Sequence, residues 1–267
     1  MSATAAAPSR PRGKREPAVS RGSLAAFGFT VAAFLIWVLV AQIVPPYQIP
    51  GPAAVLARMA DFFAPQLGRQ LLTSLAHVVI STAAAFVIGA ALAFVAHYLR
   101  ITRLTVDTYL TPFLNAFPGI AWLFLAMLWF GVNSFTVVFA LTMTLLPFSI
   151  INIRAGLDEM DRDFLELGRS LTRGRVISFR KLFVPMLVPY VFAALRTSFG
   201  VAWKVVLTAE LFGGNAGVGY VLNTARLQFD TETIFAIILF ILLFVTLAET
   251  CVFRPLQRVI ARRYRGE

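Results

Sequence analysis

Residues 158–185 of this 267-residue chain read DEMDRDFLELGRSLTRGRVISFRKLFVP, the one long charged interval in an otherwise apolar sequence. Phe164, Leu167 and Leu171 recur at helical spacing along it. Gly174, ten residues after Phe164, is a typical helix stop. Apolar stretches flank the interval on both sides. It therefore predicts two short amphipathic helices presented to water between two membrane spans.

The composition excludes an ordinary soluble protein. Hydrophobic residues make up 58% of the chain, charged residues only 14%, and the mean hydropathy is +0.77. These values indicate an integral membrane protein. The net charge of +11 does not indicate a nucleic-acid partner, because the basic residues lie mainly in the gaps between apolar stretches. The single cysteine, Cys251, rules out an internal disulfide.

Six apolar stretches are long enough to cross a bilayer. Pro112 and Pro118 interrupt the third, where a kink or a local break is expected. Residues 1–23 are Ala-, Pro- and Arg-rich and predict a disordered basic tail, which leaves 24–267 as the membrane domain. The predicted spans are residues 24–44, 71–98, 106–130, 135–153, 186–211 and 234–253.

The distribution of basic residues orients these spans. With the N-terminus in the cytoplasm, 19 of the 24 Lys and Arg residues fall in cytoplasmic segments, and only Arg58, Arg69 and Arg226 fall outside. The positive-inside rule thus predicts an all-α membrane protein of six transmembrane helices with cytoplasmic N- and C-termini. The charged interval then also lies in the cytoplasm.

Catalytic motifs are absent from the sequence. No GxxxxGK[ST] phosphate loop and no GxSxG nucleophile occur. His77 and His97 are twenty residues apart in one span, which separates them by about 30 Å and prevents them from sharing a metal. We expect no catalytic residue, no metal site and no cofactor in this chain, so any ATP is bound by a partner.

Two charges lie inside the fifth predicted span. Lys204, between Trp203 and Glu210 in sequence, either lines a pathway and attracts an anion or pairs with an acid on another helix, such as Asp107. Trp203 and Glu210 are candidate pathway residues with it. Arg196 lies nearer the cytoplasmic end, where its side chain can reach the interface.

The charged interval also carries a family pattern. Glu166 is followed nineteen residues later by Pro185, with Leu167 and Gly168 directly after the Glu and Thr172 six residues after it. This arrangement resembles the cytoplasmic signature loop of bacterial ABC-importer permeases, which has Glu-Ala-Ala, a glycine six residues after the Glu and a terminal Leu-Pro. The two alanines and the glycine are replaced here, so either Gly168 or Gly174 supplies the flexibility of the turn or the loop follows a slightly different path.

Flanking motifs, in order over roughly residues 50 to 260, are similar to the nitrate, sulfonate, taurine and bicarbonate group of these permeases. They are Pro50-Gly51-Pro52, Trp129-Phe130-Gly131, Pro147 to Gly156, Leu195-Arg196, Ala202-Trp203, Ala209-Glu210 and Gly217-Val218-Gly219-Tyr220.

The resemblance implies a permease subunit of a binding-protein-dependent importer in the bacterial inner membrane. It implies three partners: ABC ATPases, a periplasmic or lipid-anchored binding protein, and a second permease copy. The solute would be small, and anionic or similar to a vitamin precursor. The residues implied to couple to the ATPase are Asp163, Phe164, Glu166, Leu167, Gly168, Leu171, Thr172 and Arg173.

Two other interpretations stay open from the residues alone. The apolar stripe of the charged interval can pack under the protein's own membrane helices instead of entering a groove on a partner. The chain can also be a secondary transporter that needs no ATP, although no internal repeat is visible.

Overall fold

The computed structural model describes residues 21–159 and 184–265, and within these ranges every regular element is a helix. The chain divides into two units, Met1–Pro52 and Ala53–Glu267. The all-helical prediction is therefore confirmed for the described part of the chain. The predicted tail, residues 1–23, falls almost entirely outside it and stays a prediction.

The first unit contains α1 (Arg21–Ile43), which coincides closely with the first predicted span. The helix ends before Pro45 and Pro46, which lack the amide hydrogens needed to continue it. The following turn folds back on the helix, because Trp37 Nε1 donates a hydrogen bond to the Pro50 carbonyl oxygen at 3.2 Å.

The second unit contains four helices long and apolar enough to cross a membrane, which needs about 20 residues each. Three are the single helices α3 (Pro65–Tyr98), α7 (Ser134–Glu159) and α8 (Val184–Gly213). The fourth runs from Thr231 to Ile260. It combines α10 (Thr231–Ala248), a π-helical turn (Glu249–Phe253) and the beginning of α11 (Arg254–Arg265).

A fifth span is present if a bent helix pair counts as one. The pair joins Ile101–Ala116 to Gly119–Phe130 at an angle of 85°. Phe117 and Pro118 are extended at the bend, as expected for a proline and the residue before it. The predicted break at Pro118 is confirmed. The predicted total of six spans is not confirmed. The described residues contain four spans, or five if the bent pair is counted, and in addition the shorter apolar helix Gly28–Ile43.

Shorter helices complete the second unit. α2 (Pro52–Ala60) precedes α3, and α9 (Val218–Leu227) joins α8 to α10. The first half of the bent pair consists of α4 (Arg100–Leu104), a π-helical turn (Thr105–Leu110) and α5 (Thr111–Ala116), and its second half is α6 (Gly119–Phe130).

Helix α7 lies at the centre of the second unit and contacts α3, α5, α6 and α8. Small residues permit its close approach to two neighbours. A Cβ added to Gly89 of α3 would lie 2.6 Å from Ser149 Cβ, and one added to Gly156 would lie 2.7 Å from Tyr190 Cγ on α8. Membrane helices pack closely through such small residues, since lipid supplies no hydrophobic drive between them.

Candidate functional site

The predicted coupling residues lie outside the described residues. Asp163, Phe164, Glu166, Leu167, Gly168, Leu171, Thr172 and Arg173 all fall between the end of α7 at Glu159 and the start of α8 at Val184. The interval thus connects the central helix to the helix that carries Lys204 and Glu210. Its role stays a prediction.

Glu210 is the most buried acid of the described chain, with no exposed side-chain surface. Its Oε2 accepts hydrogen bonds from Ser74 Oγ at 2.7 Å and from the Gly219 amide at 2.9 Å. Its Oε1 lies 2.7 Å from His77 Nδ1. A carboxyl group in an apolar membrane protein is costly to bury alone, and here hydrogen bonds satisfy both of its oxygens.

The same cluster holds the beginning of α9. The first amides of a helix have no partner within the helix. In α9 the Val218 amide donates to Ser74 Oγ at 2.8 Å, and the preceding Gly217 amide donates to Gln70 Oε1 at 2.7 Å. Gln70, Ser74 and His77 lie on one face of α3 at helical spacing. We call Gln70, Ser74, His77, Glu210 and residues 217–219 the outer node, because it joins α3, α8 and α9.

Glycines make the outer node possible. Gly217 has φ +105°, a conformation that L-residues with a side chain rarely adopt, and a Cβ there would overlap the Glu210 carboxyl group. A Cβ on Gly219 would overlap the Leu207 carbonyl oxygen. The Gly-Val-Gly sequence is therefore needed for the backbone to approach the buried acid.

Replacing Gly217 with alanine should lower the free energy of unfolding by about 2–4 kcal/mol, from left-handed backbone strain and overpacking. The measurement is the unfolding temperature of the purified protein in detergent. Gly200→Ala on α8 is the matched control, because nothing lies within 4 Å of an added Cβ there. That control should unfold at the wild-type temperature or slightly above it. Equal unfolding temperatures for the two variants would contradict the described packing.

Lys204 lies on the wall of a cavity of about 280 Å³ between α6, α7 and α8. The side chain is exposed, and no described acid lies within ion-pair distance of it. The N-terminus of α6, with its partial positive charge, lies at the same cavity, since the bend at Pro118 directs it there. The lining residues are Gly119, Ile120, Leu123, Ala140, Thr144, Lys204, Val205, Thr208 and Ala209.

Trp203 and Glu210 have other surroundings. Trp203 is buried and meets Phe244 edge-to-face at 4.9 Å between ring centroids, so it packs between α8 and α10. Glu210 belongs to the outer node. Of the three predicted pathway residues, Lys204 is the one that the structure places at the cavity.

Asp107 is not the partner of Lys204. It forms a two-fold hydrogen bond with Arg154, from Nε to Oδ1 at 3.1 Å and from Nη2 to Oδ2 at 2.8 Å. Arg154 is nearly fully buried near the end of α7, and it also lies 3.4 Å from Asp158. This bidentate pair, the strong geometry for arginine, fixes the bent pair to the end of α7 at which the charged interval begins.

Arg196 also has a protein partner and does not simply extend to the interface. Its Nη2 donates to Glu249 Oε1, and its Nη1 donates to Gln257 Oε1. These contacts tie the middle of α8 to the π-helical turn and to α11.

At the end of the second unit that carries the outer node, Asp230 caps α10. Its Oδ1 accepts from the Thr233 amide at 3.1 Å and its Oδ2 from the Thr233 hydroxyl at 2.7 Å. Burial acts to raise the pKa of Asp230, but these hydrogen bonds and the Arg58 charge outweigh it and hold the pKa below its ordinary value.

The pKa of Asp230 is lower in the folded state than in the unfolded state, where it is about 3.9. The ionised form of Asp230 therefore stabilises the fold fully at any pH above the unfolded pKa. This stabilisation is lost as the pH falls through the lower, folded pKa. Asp230→Asn keeps a capping side chain but does not titrate. We expect the variant to unfold at a lower temperature than wild type at pH 7, with the gap closing at acidic pH. A gap that stays constant from pH 7 down to a pH well below the folded pKa of Asp230 would contradict this assignment.

The outer node was not predicted from the sequence. The sequence offers Glu210 and the Gly217-Val218-Gly219 motif separately but indicates no role for Gln70, Ser74 or His77. A signal exists: Gln70, Ser74, His77 and Ser81 form a polar stripe at helical spacing in an apolar helix. Such a stripe indicates a polar partner within the membrane.

The fold and site together define a multi-pass membrane protein with a polar cluster buried between its spans and an exposed cation on the wall of an open cavity. Residues 85–266 match the family described as binding-protein-dependent transport system inner membrane component. This match covers more than half of the chain, and the protein belongs to that family. It is accordingly a multi-pass protein of the inner membrane.

Curated relatives agree with this assignment. The chain is 28% identical to a probable ABC transporter permease protein of Brucella melitensis, over 70% of this chain and 76% of the relative. It is 27% identical to the nitrate import permease protein NrtB of Synechococcus elongatus, over 69% and 70%. It is 23% identical to the taurine transport system permease protein TauC of Escherichia coli, over 90% of each chain. The resemblance to the nitrate and taurine group is confirmed.

Proposed function

We propose that this chain is the membrane-spanning subunit of an ABC importer that moves a small anion inward, powered by ATP bound to a partner ATPase. The observation that carries the proposal is the family match over residues 85–266. The chain performs no covalent chemistry and holds no cofactor in this account. A binding protein delivers the solute on the outer side.

The proposed topology has six spans and cytoplasmic termini. Nineteen of the 24 basic residues then lie in cytoplasmic segments. The four long spans, the bent pair and α1 supply the six crossings. This orientation puts residues 158–185 on the side where ATP is available and the outer node on the opposite side.

In this account, residues 158–185 dock into a groove of the ATPase. Phe164, Leu167 and Leu171 enter the groove as an apolar stripe, and Glu166 holds the interval in its docked shape. The Arg154–Asp107 pair supports this role, because it fixes the adjacent end of α7 to the bent pair. Movement of the docked interval would then be passed on to the membrane helices.

A second copy of the chain is part of the proposal. Lys204 is exposed on a membrane span, and a charge facing hydrocarbon costs about 2.5–3.5 kcal/mol on insertion scales. A second copy that covers this face, with a polar path between the two, removes the cost. Two copies also provide two coupling intervals for two ATPases.

A small anion is the solute that the cavity fits best. Lys204 and the N-terminus of α6 both supply positive potential there, and Thr208 is an exposed residue of the same wall. The relatives named for nitrate and taurine support the same class, since both solutes carry an anionic group.

The test is uptake into proteoliposomes that contain this chain with its candidate ATPase and binding protein. The proposal expects uptake that requires internal access to ATP and that continues when ion gradients are collapsed. Uptake that is driven by an ion gradient without ATP would instead identify a secondary transporter.

A further inference from the structure

The last helix of the described chain, α11, is strongly basic. Its sequence RPLQRVIARRYR contains five arginines and no acid. It continues directly from α10 through the π-helical turn, so it belongs to the same rod as the last span. The nearest acid before α11 along the chain, Glu249, already pairs with Arg196.

The depth of the arginines follows from helix geometry. From Thr231 to Arg254 the rod advances 23 residues, or about 35 Å at 1.5 Å per residue. The hydrocarbon core is about 30 Å thick. With Thr231 at one boundary, Arg254 falls at the level of the lipid headgroups on the other side, and Arg258 and Arg262 lie about 6 and 12 Å further along the helix axis.

The direction of the arginines follows from the contacts of their neighbours. Gln257 accepts a hydrogen bond from Arg196, and Ile260 lines the same cavity as Val188 and Val191, so this side of α11 faces α8. Arg258 and Arg262 lie on the opposite side of α11, and Arg254, three residues before Gln257, lies between the two sides. All three are exposed, and none forms an ion pair with an acidic side chain that the structure describes.

We propose that Arg254, Arg258 and Arg262 form a binding site for the headgroups of anionic phospholipids. Basic clusters that directly follow a membrane span attract anionic lipid, and each cation near the surface contributes about 1 kcal/mol. The position of the cluster favours lipid over a soluble protein surface, because it begins at headgroup level directly after the last span. The site rests on the last span alone and does not depend on coupling to an ATPase.

The experiment titrates the purified full-length chain in detergent with phosphatidylglycerol or phosphatidylcholine of identical acyl chains, and counts bound lipid by native mass spectrometry. We expect tighter binding of phosphatidylglycerol. The triple variant Arg254→Gln, Arg258→Gln, Arg262→Gln should bind it about 100-fold more weakly, or about fivefold per arginine. Binding of phosphatidylcholine should not change.

Two controls separate charge from fold. The corresponding triple lysine variant keeps the charge and should retain the preference for phosphatidylglycerol. Arg226→Gln removes an exposed arginine from α9, away from α11, and should have no effect. If the triple glutamine variant binds phosphatidylglycerol with the same affinity as wild type, the proposal is overturned. If that equality is accompanied by weaker ATPase binding, the arginines serve an acidic protein surface.

Wild type alone gives a second test if the glutamine variant does not fold. Binding to an anionic surface is screened by salt, with a Debye length of about 10 Å at 0.1 M and 3 Å at 1 M. The preference for phosphatidylglycerol should therefore decrease steeply over this range. A preference that salt does not change would overturn the proposal.

Discussion

Glu210→Ala is expected to prevent the protein from accumulating in a folded state. The substitution leaves the Ser74 hydroxyl, His77 Nδ1 and the Gly219 amide without their common partner in a fully buried site. Each unsatisfied buried group costs about 1–3 kcal/mol, so the total loss is at least about 3 kcal/mol. Folded proteins are stable by only about 5–15 kcal/mol.

The measurement is the yield of monodisperse protein after extraction, together with its unfolding temperature. Glu210→Gln keeps one acceptor oxygen and should give an intermediate loss. Thr208→Ala, on an exposed position of the same helix, is the control for folding and should give the wild-type yield and unfolding temperature. An alanine variant at Glu210 that unfolds at the wild-type temperature would show that the outer node does not hold α9 in place.

Lys204→Glu is expected to abolish transport of an anion and to leave the fold intact. Two charges about 4 Å apart interact by about 4 kcal/mol at an effective dielectric constant of 20, so reversing the charge at the cavity disfavours an anion by several kcal/mol. The initial uptake rate should decrease on the order of 100-fold or more. The side chain is exposed and has no described ion-pair partner, so unfolding should not change.

Uptake into proteoliposomes measures this effect, with the unfolding temperature recorded for each variant. Lys204→Arg keeps a cation at the wall and should retain most of the rate. Lys204→Gln removes the charge without reversing it, and its uptake rate should lie between those of the arginine and glutamate variants. A glutamate variant that transports at the wild-type rate would remove Lys204 from the pathway.

The sequence predicts the helical elements well because hydropathy and proline act locally. The ends of α1 and α8 follow the predicted spans within about three residues, whereas α3 begins six residues before its predicted span and α7 ends six residues after its own. The break at Pro118 follows from proline's missing amide and the restriction on the residue before it. The Gly-Val-Gly motif at residues 217–219 was also visible in sequence. The sequence does not show why these glycines are needed, which is that the Glu210 carboxyl group approaches the backbone closely.

Pairings between helices could not be predicted in the same way. Glu210 meets His77 across 133 positions, and the rotation of α3 and α8 about their axes decides that contact. The predicted pairing of Lys204 with Asp107 fails for a similar reason. The bent pair turns Asp107 toward Arg154, whose guanidinium group offers two parallel donors.

The most direct test of the central claim is the ATPase activity of the candidate ATPase reconstituted in lipid with this chain, comparing wild type with Glu166→Lys. The account predicts that wild type stimulates ATP hydrolysis and that Glu166→Lys does not, while both chains unfold at the same temperature. A wild-type chain that neither binds nor stimulates the ATPase, or a Glu166→Lys chain that stimulates it equally, would contradict the account.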